Sequence, residues 1–309
     1  GLSTEVMGHA LGIAGSISPV NAQMAWFDHA PSSTIKYLLG GALTQAALTA
    51  AHMAGPGHRG GPVLLAGRGV GYANEGNKFG RLRMMLAGGA EELCPTEAMV
   101  FDALYATSLM NDTPQLSPRP YDSTRGGLVV GEGGGMLVLE ELEHALARGA
   151  RIHAEIVGFG SNAVGQHITR PEQTTMRRAM ELALQDAGLA PEAIGYVNGH
   201  GTATEQGDIA ETLATSELFG PRMPISSQKS FLGHTLGACG ALESWFSIEM
   251  MNRDTYVHTL NLDNIDPRCG ELDYLRGGMR VMSNEYVMNN NFAFGGVNTS
   301  LIFRRWPRA

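Results

Sequence analysis

The chain of 309 residues is poor in several things, and each shortage removes a class of function. Its three cysteines, Cys94, Cys239 and Cys269, are too few and too scattered for a disulfide framework, and none shows the C-x-x-C spacing of a zinc site. A reducing, cytoplasmic setting is expected, with neither metal nor cofactor. No uncharged apolar run reaches about eighteen residues, so no membrane-spanning helix is expected. Lys and Arg number 22 against 30 Asp and Glu, a net charge of −8, and no basic cluster is long enough to track a phosphate backbone. Nucleic acid is therefore not an expected partner. The opening "GLSTEVMGHALG" lacks the charged-then-apolar order of a signal peptide.

What is present is the balance of a globular protein with a sizeable core: 43% hydrophobic and 17% charged residues. The 41 glycines imply tight turns and close backbone packing, and the 16 methionines, scattered along the chain, read as core filling. From residue 83 onward, short apolar runs alternate with amphipathic stretches. Strands are expected at 83–89, 135–140, 151–160, 193–199 and 223–227, and helices at 141–149, 171–189, 205–220 and 241–253. The segment 286–306 reads as two strands joined at "FGG". Such alternation predicts a mainly parallel or mixed sheet covered by helices on both faces. The polar, proline-bearing segment 111–127 reads either as a surface connection or as a loop covering an active site. Before residue 83 only 32–55 reads as helical, and "GRGVG" at 67–71 lacks the strand, helix start and downstream acid of a dinucleotide site.

Three segments place unusual polar residues at the ends of expected strands, where the sites of sheet proteins collect. In "NGHGTATEQGD", His200 stands between Gly199 and Gly201. It reads either as a satisfied structural histidine or as a catalyst whose flanking glycines permit close substrate approach. In "SSQKSFLGHTLGACGALE", Lys229 and His234 share one turn. In "NNNFAFGGVN", backbone N–H groups around a phenylalanine-glycine turn are candidate oxyanion donors.

Together with "LAGGAEEL", "SPRPYDSTRGGLVVGEGGGMLVLEELEHALARGARIHAEIVGFG" and "TLNLDNIDPRC", these segments resemble the β-ketoacyl-acyl-carrier-protein synthases of the elongating type with two active-site histidines. The resemblance runs from about residue 69 to the end. It implies an α/β, thiolase-like layered fold (α-β-α-β-α) of two related βαβαβ halves, 1–150 and 151–309, the first incomplete. It implies acyl carrier protein and acyl and malonyl thioesters as partners, and a homodimer or a heterodimer with another ketosynthase. By motif, His200 and His234 match the paired histidines that stabilise the enolate left after CO2 departs. Lys229 matches the residue that joins Glu211 in a hydrogen-bond network and orients the second histidine. Asp208 belongs to the same supporting shell, although Asp208 and Glu211 also fit a helix N-terminal cap and first-turn charge. Phe294 matches the gating aromatic, with Phe292 and Gly295 in the same oxyanion and gating turn.

The chain departs from the pattern at the nucleophile. The family uses a cysteine at the start of a buried helix, and the gap-free match here is Val63. None of Cys94, Cys239 and Cys269 falls at that position. The expected activity is decarboxylative Claisen condensation of an acyl thioester with malonyl-carrier protein. A non-catalytic chain-length-factor-like partner, a malonyl decarboxylase and a truncated or decayed copy stand as alternatives.

Overall fold

The computed structural model describes residues 84–164, 170–293 and 296–307. Val63, the helix expected at 32–55, the glycine pattern at 67–71, Phe294 and Gly295 lie outside the described residues. The chain divides into two compact units. The smaller contains β1 (Met84–Glu91), β2 (Gly133–Glu140) and helix α1 (Leu142–Ala147). Its strands pair antiparallel, Met84 opposite Glu140 and Glu91 opposite Gly133. Glu140 there accepts from Arg148 Nε at 2.7 Å and Nη2 at 2.6 Å and meets His144.

The larger unit is built on a six-stranded sheet with spatial order β3-β10-β9-β4-β5-β7: β3 (Ala154–Ala163), β4 (Ile194–Asn198), β5 (Pro224–Ser226), β7 (Asp273–Tyr274), β9 (Tyr286–Ala293) and β10 (Val297–Arg305). The short β6 (Thr255–Tyr256) and β8 (Arg280–Val281) pair with each other outside it. Strands β9, β4, β5 and β7 run parallel, whereas β10 is antiparallel to both β3 and β9, so the sheet is mixed.

Successive residues of a strand face opposite sides, and both sides are apolar here. Val197, Met288 and Ile302 pack with Met176, Met180 and Leu184 of helix α2 (Gln173–Ala187) and Ala210 and Ala214 of helix α3 (Glu205–Phe219). Their neighbours Tyr196, Val287 and Phe303 pack on the other side with Ile248, Met250 and Met251 of helix α5 (Cys239–Asn252). Helix α2 stops at Gly188, whose φ of 65° is the left-handed cap that glycine adopts at least cost. The helix rests directly on β3: a Cβ at Gly160 would lie 2.0 Å from the Ala179 carbonyl oxygen, which accounts for the second glycine in "VGFG".

The expected strands and helices after residue 83 are present with ends moved by a few residues. A helix at Pro95–Ala103 was not expected, and it buries none of its residues, so it carries no apolar stripe to read. Cys94 caps that helix, its sulfur accepting from the Glu97 N–H.

Candidate active site

Parallel pairing brings the C-terminal ends of β4, β5 and β9 side by side, since Asn198 stands level with Ser226 on one flank and Asn289 on the other. The residues that follow each strand therefore converge: Gly199 and His200 after β4, Gln228 and Lys229 after β5, and Phe292 near the end of β9. Asn198 crosslinks this edge, its amide donating to Asn289 at 2.8 Å while Asn289 donates to Ser244 at 2.9 Å.

His200 is buried, and its backbone N–H donates to Glu211 Oε1 at 2.6 Å. The Gly201 N–H donates to the other Glu211 oxygen at 2.7 Å, so one carboxylate on helix α3 fixes the whole turn. The glycines on either side of His200 have a different cause from the substrate approach expected above. A Cβ at Gly199 would lie 2.2 Å, and one at Gly201 2.5 Å, from the hydroxyl oxygen of Tyr121. The polar segment 111–127 thus ends in a buried foundation beneath this turn. Replacing Gly201 with alanine should cost about 1–3 kcal/mol of stability, the usual range for overpacking, as read by urea denaturation. An unchanged midpoint would mean that Tyr121 yields without strain.

Lys229 opens the short helix α4 (Lys229–Leu232) and is 1% exposed. The carboxylate that closes on its Nζ is Glu243 of helix α5, not the expected Glu211, whose oxygens are taken by the His200 turn. Glu243 is itself 1% exposed, and burial raises its pKa against the lowering pull of Lys229. Lys229 Nζ also lies 3.1 Å from His200 Nδ1. An ammonium can only donate, so Nδ1 accepts and the ring proton stands on Nε2. The cation therefore selects the tautomer of the first histidine, His200, and it does so from behind, since it does not line the cavity in front.

His234 follows Gly233, whose φ is 71°, and its backbone is held by Val129, which accepts its N–H at 2.7 Å, and by the Gly131 N–H, which donates to its carbonyl at 3.0 Å. The two imidazoles meet edge to face, centroids 5.1 Å apart at 87°, with Phe292 6.3 Å from His200. Burial, then the Lys229 charge, then His234 hold the His200 pKa well below the ordinary histidine range, and an Asn291 hydrogen bond only partly opposes them. Burial and Lys229 do the same to His234. Both rings are neutral at pH 7. They open onto a cavity of about 410 Å³ whose wall also includes Phe292, Thr202, Thr204 and Arg125.

Asp208 is fully buried and accepts from the backbone N–H of Tyr121 at 2.7 Å and of Ala203 at 3.2 Å. Burial raises its pKa to about 6 despite Arg125 nearby. It is a first-turn acid of α3, as one sequence reading had it, yet its carboxylate ties the turn to segment 119–125 rather than capping the helix. Arg125 completes that tie, lying 3.5 Å from Asp208 and donating to the Glu205 carbonyl at 2.9 Å. The sequence reading placed His200, Lys229 and His234 together. It missed Glu243, Tyr121 and Arg125.

Family models for the beta-ketoacyl synthase N-terminal domain and C-terminal domain match residues 78–145 and 153–263. A 3-oxoacyl-[acyl-carrier-protein] synthase 2 from Vibrio cholerae is 42% identical over 243 residues, 76% of this chain and 59% of that protein. The chain thus spans less than two thirds of that relative's length. A crystal structure of a beta-ketoacyl synthase from Burkholderia phymatum is 50% identical and superposes with a TM-score of 0.78 over 94% of this chain and 73% of its own. The AntDE:AntF complex, a type II PKS acyl-carrier protein with its ketosynthase bound to the hexaketide, is 34% identical with a TM-score of 0.72, covering 77% of this chain and 60% of that one. The mixed α/β architecture is that of these thiolase-like ketosynthases, and the paired neutral histidines at the ends of its parallel strands are in a chain that belongs to the beta-ketoacyl synthase family.

Proposed function

We propose that this site performs the carbon–carbon chemistry of a β-ketoacyl-acyl-carrier-protein synthase, decarboxylative Claisen condensation with malonyl-carrier protein as the donor. The observation that carries the reading is the His200–His234 pair, perpendicular, neutral and open to one cavity, with Lys229 behind His200. In the first step the bond from the malonyl α-carbon to its carboxylate breaks. CO2 leaves, and the electron pair moves onto the thioester oxygen as an enolate. The Nε2–H of His200 and the ring of His234 are the donors for that oxygen, and fixed donors in a dry site stabilise charge that develops only in the transition state. In the second step the enolate carbon attacks an acyl thioester carbonyl and expels its thiolate. No step calls for a metal or cofactor.

Val63 favours a second reading, in which the chain decarboxylates malonyl thioesters without a covalent acyl intermediate. A valine side chain has no lone pair to attack a carbonyl. The retained histidines and Lys229 support that reading over a non-catalytic, chain-length-factor-like partner. Incubation with malonyl-carrier protein should yield acetyl-carrier protein and CO2, while intact-protein mass after exposure to an acyl thioester should show no adduct. An adduct would overturn either the assignment of Val63 to the nucleophile position or the exclusion of Cys94, Cys239 and Cys269 as nucleophiles. Finding neither adduct nor decarboxylation would leave the partner or decayed-copy reading.

The expected partners are acyl carrier protein, acyl and malonyl thioesters, and a second ketosynthase-like chain, as a homodimer or a heterodimer. The organisation into halves 1–150 and 151–309 is supported by the two family models meeting between residues 145 and 153.

A further inference from the structure

We propose that Tyr121 is a positioning residue for His200, acting through its hydroxyl on Glu211. Several independent observations converge on this hydroxyl. Tyr121 is fully buried, and its hydroxyl donates towards Glu211 Oε2 at 3.5 Å, the same oxygen that accepts from the Gly201 N–H. Neither glycine beside His200 has room for a Cβ, because the Tyr121 oxygen fills both places. The Tyr121 backbone is itself pinned, its N–H on Asp208 Oδ2 at 2.7 Å and its carbonyl accepting from the Asp266 N–H at 2.9 Å. The ring leans on Tyr274, centroids 5.3 Å apart. A hydroxyl so placed is more than packing, since a phenyl ring of the same shape would fill the core and leave the carboxylate one donor short.

The consequence runs through the protonation of Glu211. Its ionised form accepts both the His200 and the Gly201 N–H, and a proton on either oxygen weakens one of those bonds and loosens the turn. The Glu211 pKa stands raised at about 7 as a balance: burial raises it most, the two backbone donors lower it, Asp208 one turn earlier raises it, and Lys229 lowers it. Tyr274 and the neutral His200 also face this group. The Tyr121 hydroxyl stays protonated, because burial and the charges of Glu211 and Asp208 hold its pKa well above the ordinary phenol value. Removing it takes away a hydrogen bond to the anion, so the Glu211 pKa rises. The turn is competent above that pKa and is lost as pH falls through it.

The test compares the wild-type chain, Tyr121→Phe and Tyr274→Phe. Tyr274 donates its hydroxyl to the Gly270 carbonyl at 2.7 Å, so its phenylalanine variant loses a buried hydroxyl from the same cluster that is not hydrogen-bonded to Glu211. Carbon-13 NMR of the Glu211 carboxyl, assigned with Glu211→Gln, should show a midpoint higher by about half to one pH unit in Tyr121→Phe and within about 0.2 units of wild type in Tyr274→Phe. This readout needs no turnover. The second arm rests on the proposed decarboxylation: its acid limb should move to higher pH by the same amount in Tyr121→Phe. Equal Glu211 midpoints in the wild-type chain and Tyr121→Phe, or equal shifts in both variants, would overturn the proposal. A displaced midpoint in a protein that releases no CO2 would uphold the Tyr121–Glu211 link and sink the activity.

Discussion

Replacing His200 or His234 with alanine should each lower malonyl-carrier-protein decarboxylation by a factor of about 10²–10³, the cost of removing one preorganised donor from a developing oxyanion. The reason is geometric. Lys229 occupies His200 Nδ1 at 3.1 Å, so the ring can offer only its Nε2–H, and an alanine offers nothing in its place. The double variant should be little slower than either single one, because two donors serving one oxygen act as a unit. His200→Gln separates the roles. An amide can donate a hydrogen bond but cannot shuttle a proton, so it should keep more rate than alanine if the ring works as a donor. Acetyl-carrier protein measured by mass spectrometry gives the rates, and the urea midpoints establish that the variants fold. A single alanine variant keeping half the wild-type rate would remove that histidine from the mechanism. Equal losses in His200→Gln and His200→Ala would argue for a proton-transfer role instead.

Much of this architecture is legible in the sequence because local periodicity carries it. Strand β4 announces itself as an apolar run broken by Gly199, and helix α2 by its buried Met176, Met180 and Leu184 with Gly188 at the end. The three site segments are legible for a related reason: parallel strands bring their C-terminal ends together, so polar residues just past several strands are close in space. What escapes is the pairing between those ends and the rest of the chain. Glu243 sits in "ACGALESWF", where an acid on a largely apolar helix reads as surface, and nothing within the helix signals that its carboxylate turns inward to Lys229. Tyr121 and Glu211 are 90 residues apart, and the glycines between which the hydroxyl sits look like substrate clearance until that distant contact is seen. Sequence pattern records which face of an element is apolar. It does not record which buried charge answers which.

That last point makes the Lys229–Glu243 pair the place where stability and function can be pulled apart. Glu243→Leu should destabilise the protein by about 3–5 kcal/mol, because it leaves an ammonium buried without its counter-charge. Lys229→Met should cost less. Burial already raises the pKa of Glu243, and removing the cation raises it further, so the stranded carboxylate can take up a proton. Lys229→Met/Glu243→Leu removes both charges and fills the space with apolar atoms, and its stability should return to within about 1–2 kcal/mol of wild type, as buried pairs replaced together often do. Its decarboxylation rate should not return. Without the ammonium, Nδ1 of His200 loses the donor that keeps the ring proton on Nε2, and the pKa of that ring climbs back towards the ordinary histidine range, since Lys229 was one of the causes lowering it. The doubly substituted protein is therefore expected to be folded and slow, with an imidazole titration visible by NMR at higher pH than in the wild type. Urea denaturation of the four proteins in the cycle measures the pairing energy directly. A double variant as unstable as Glu243→Leu would show that the interior there demands polar groups. A double variant as fast as the wild type would show that the tautomer of His200 is set by something other than Lys229.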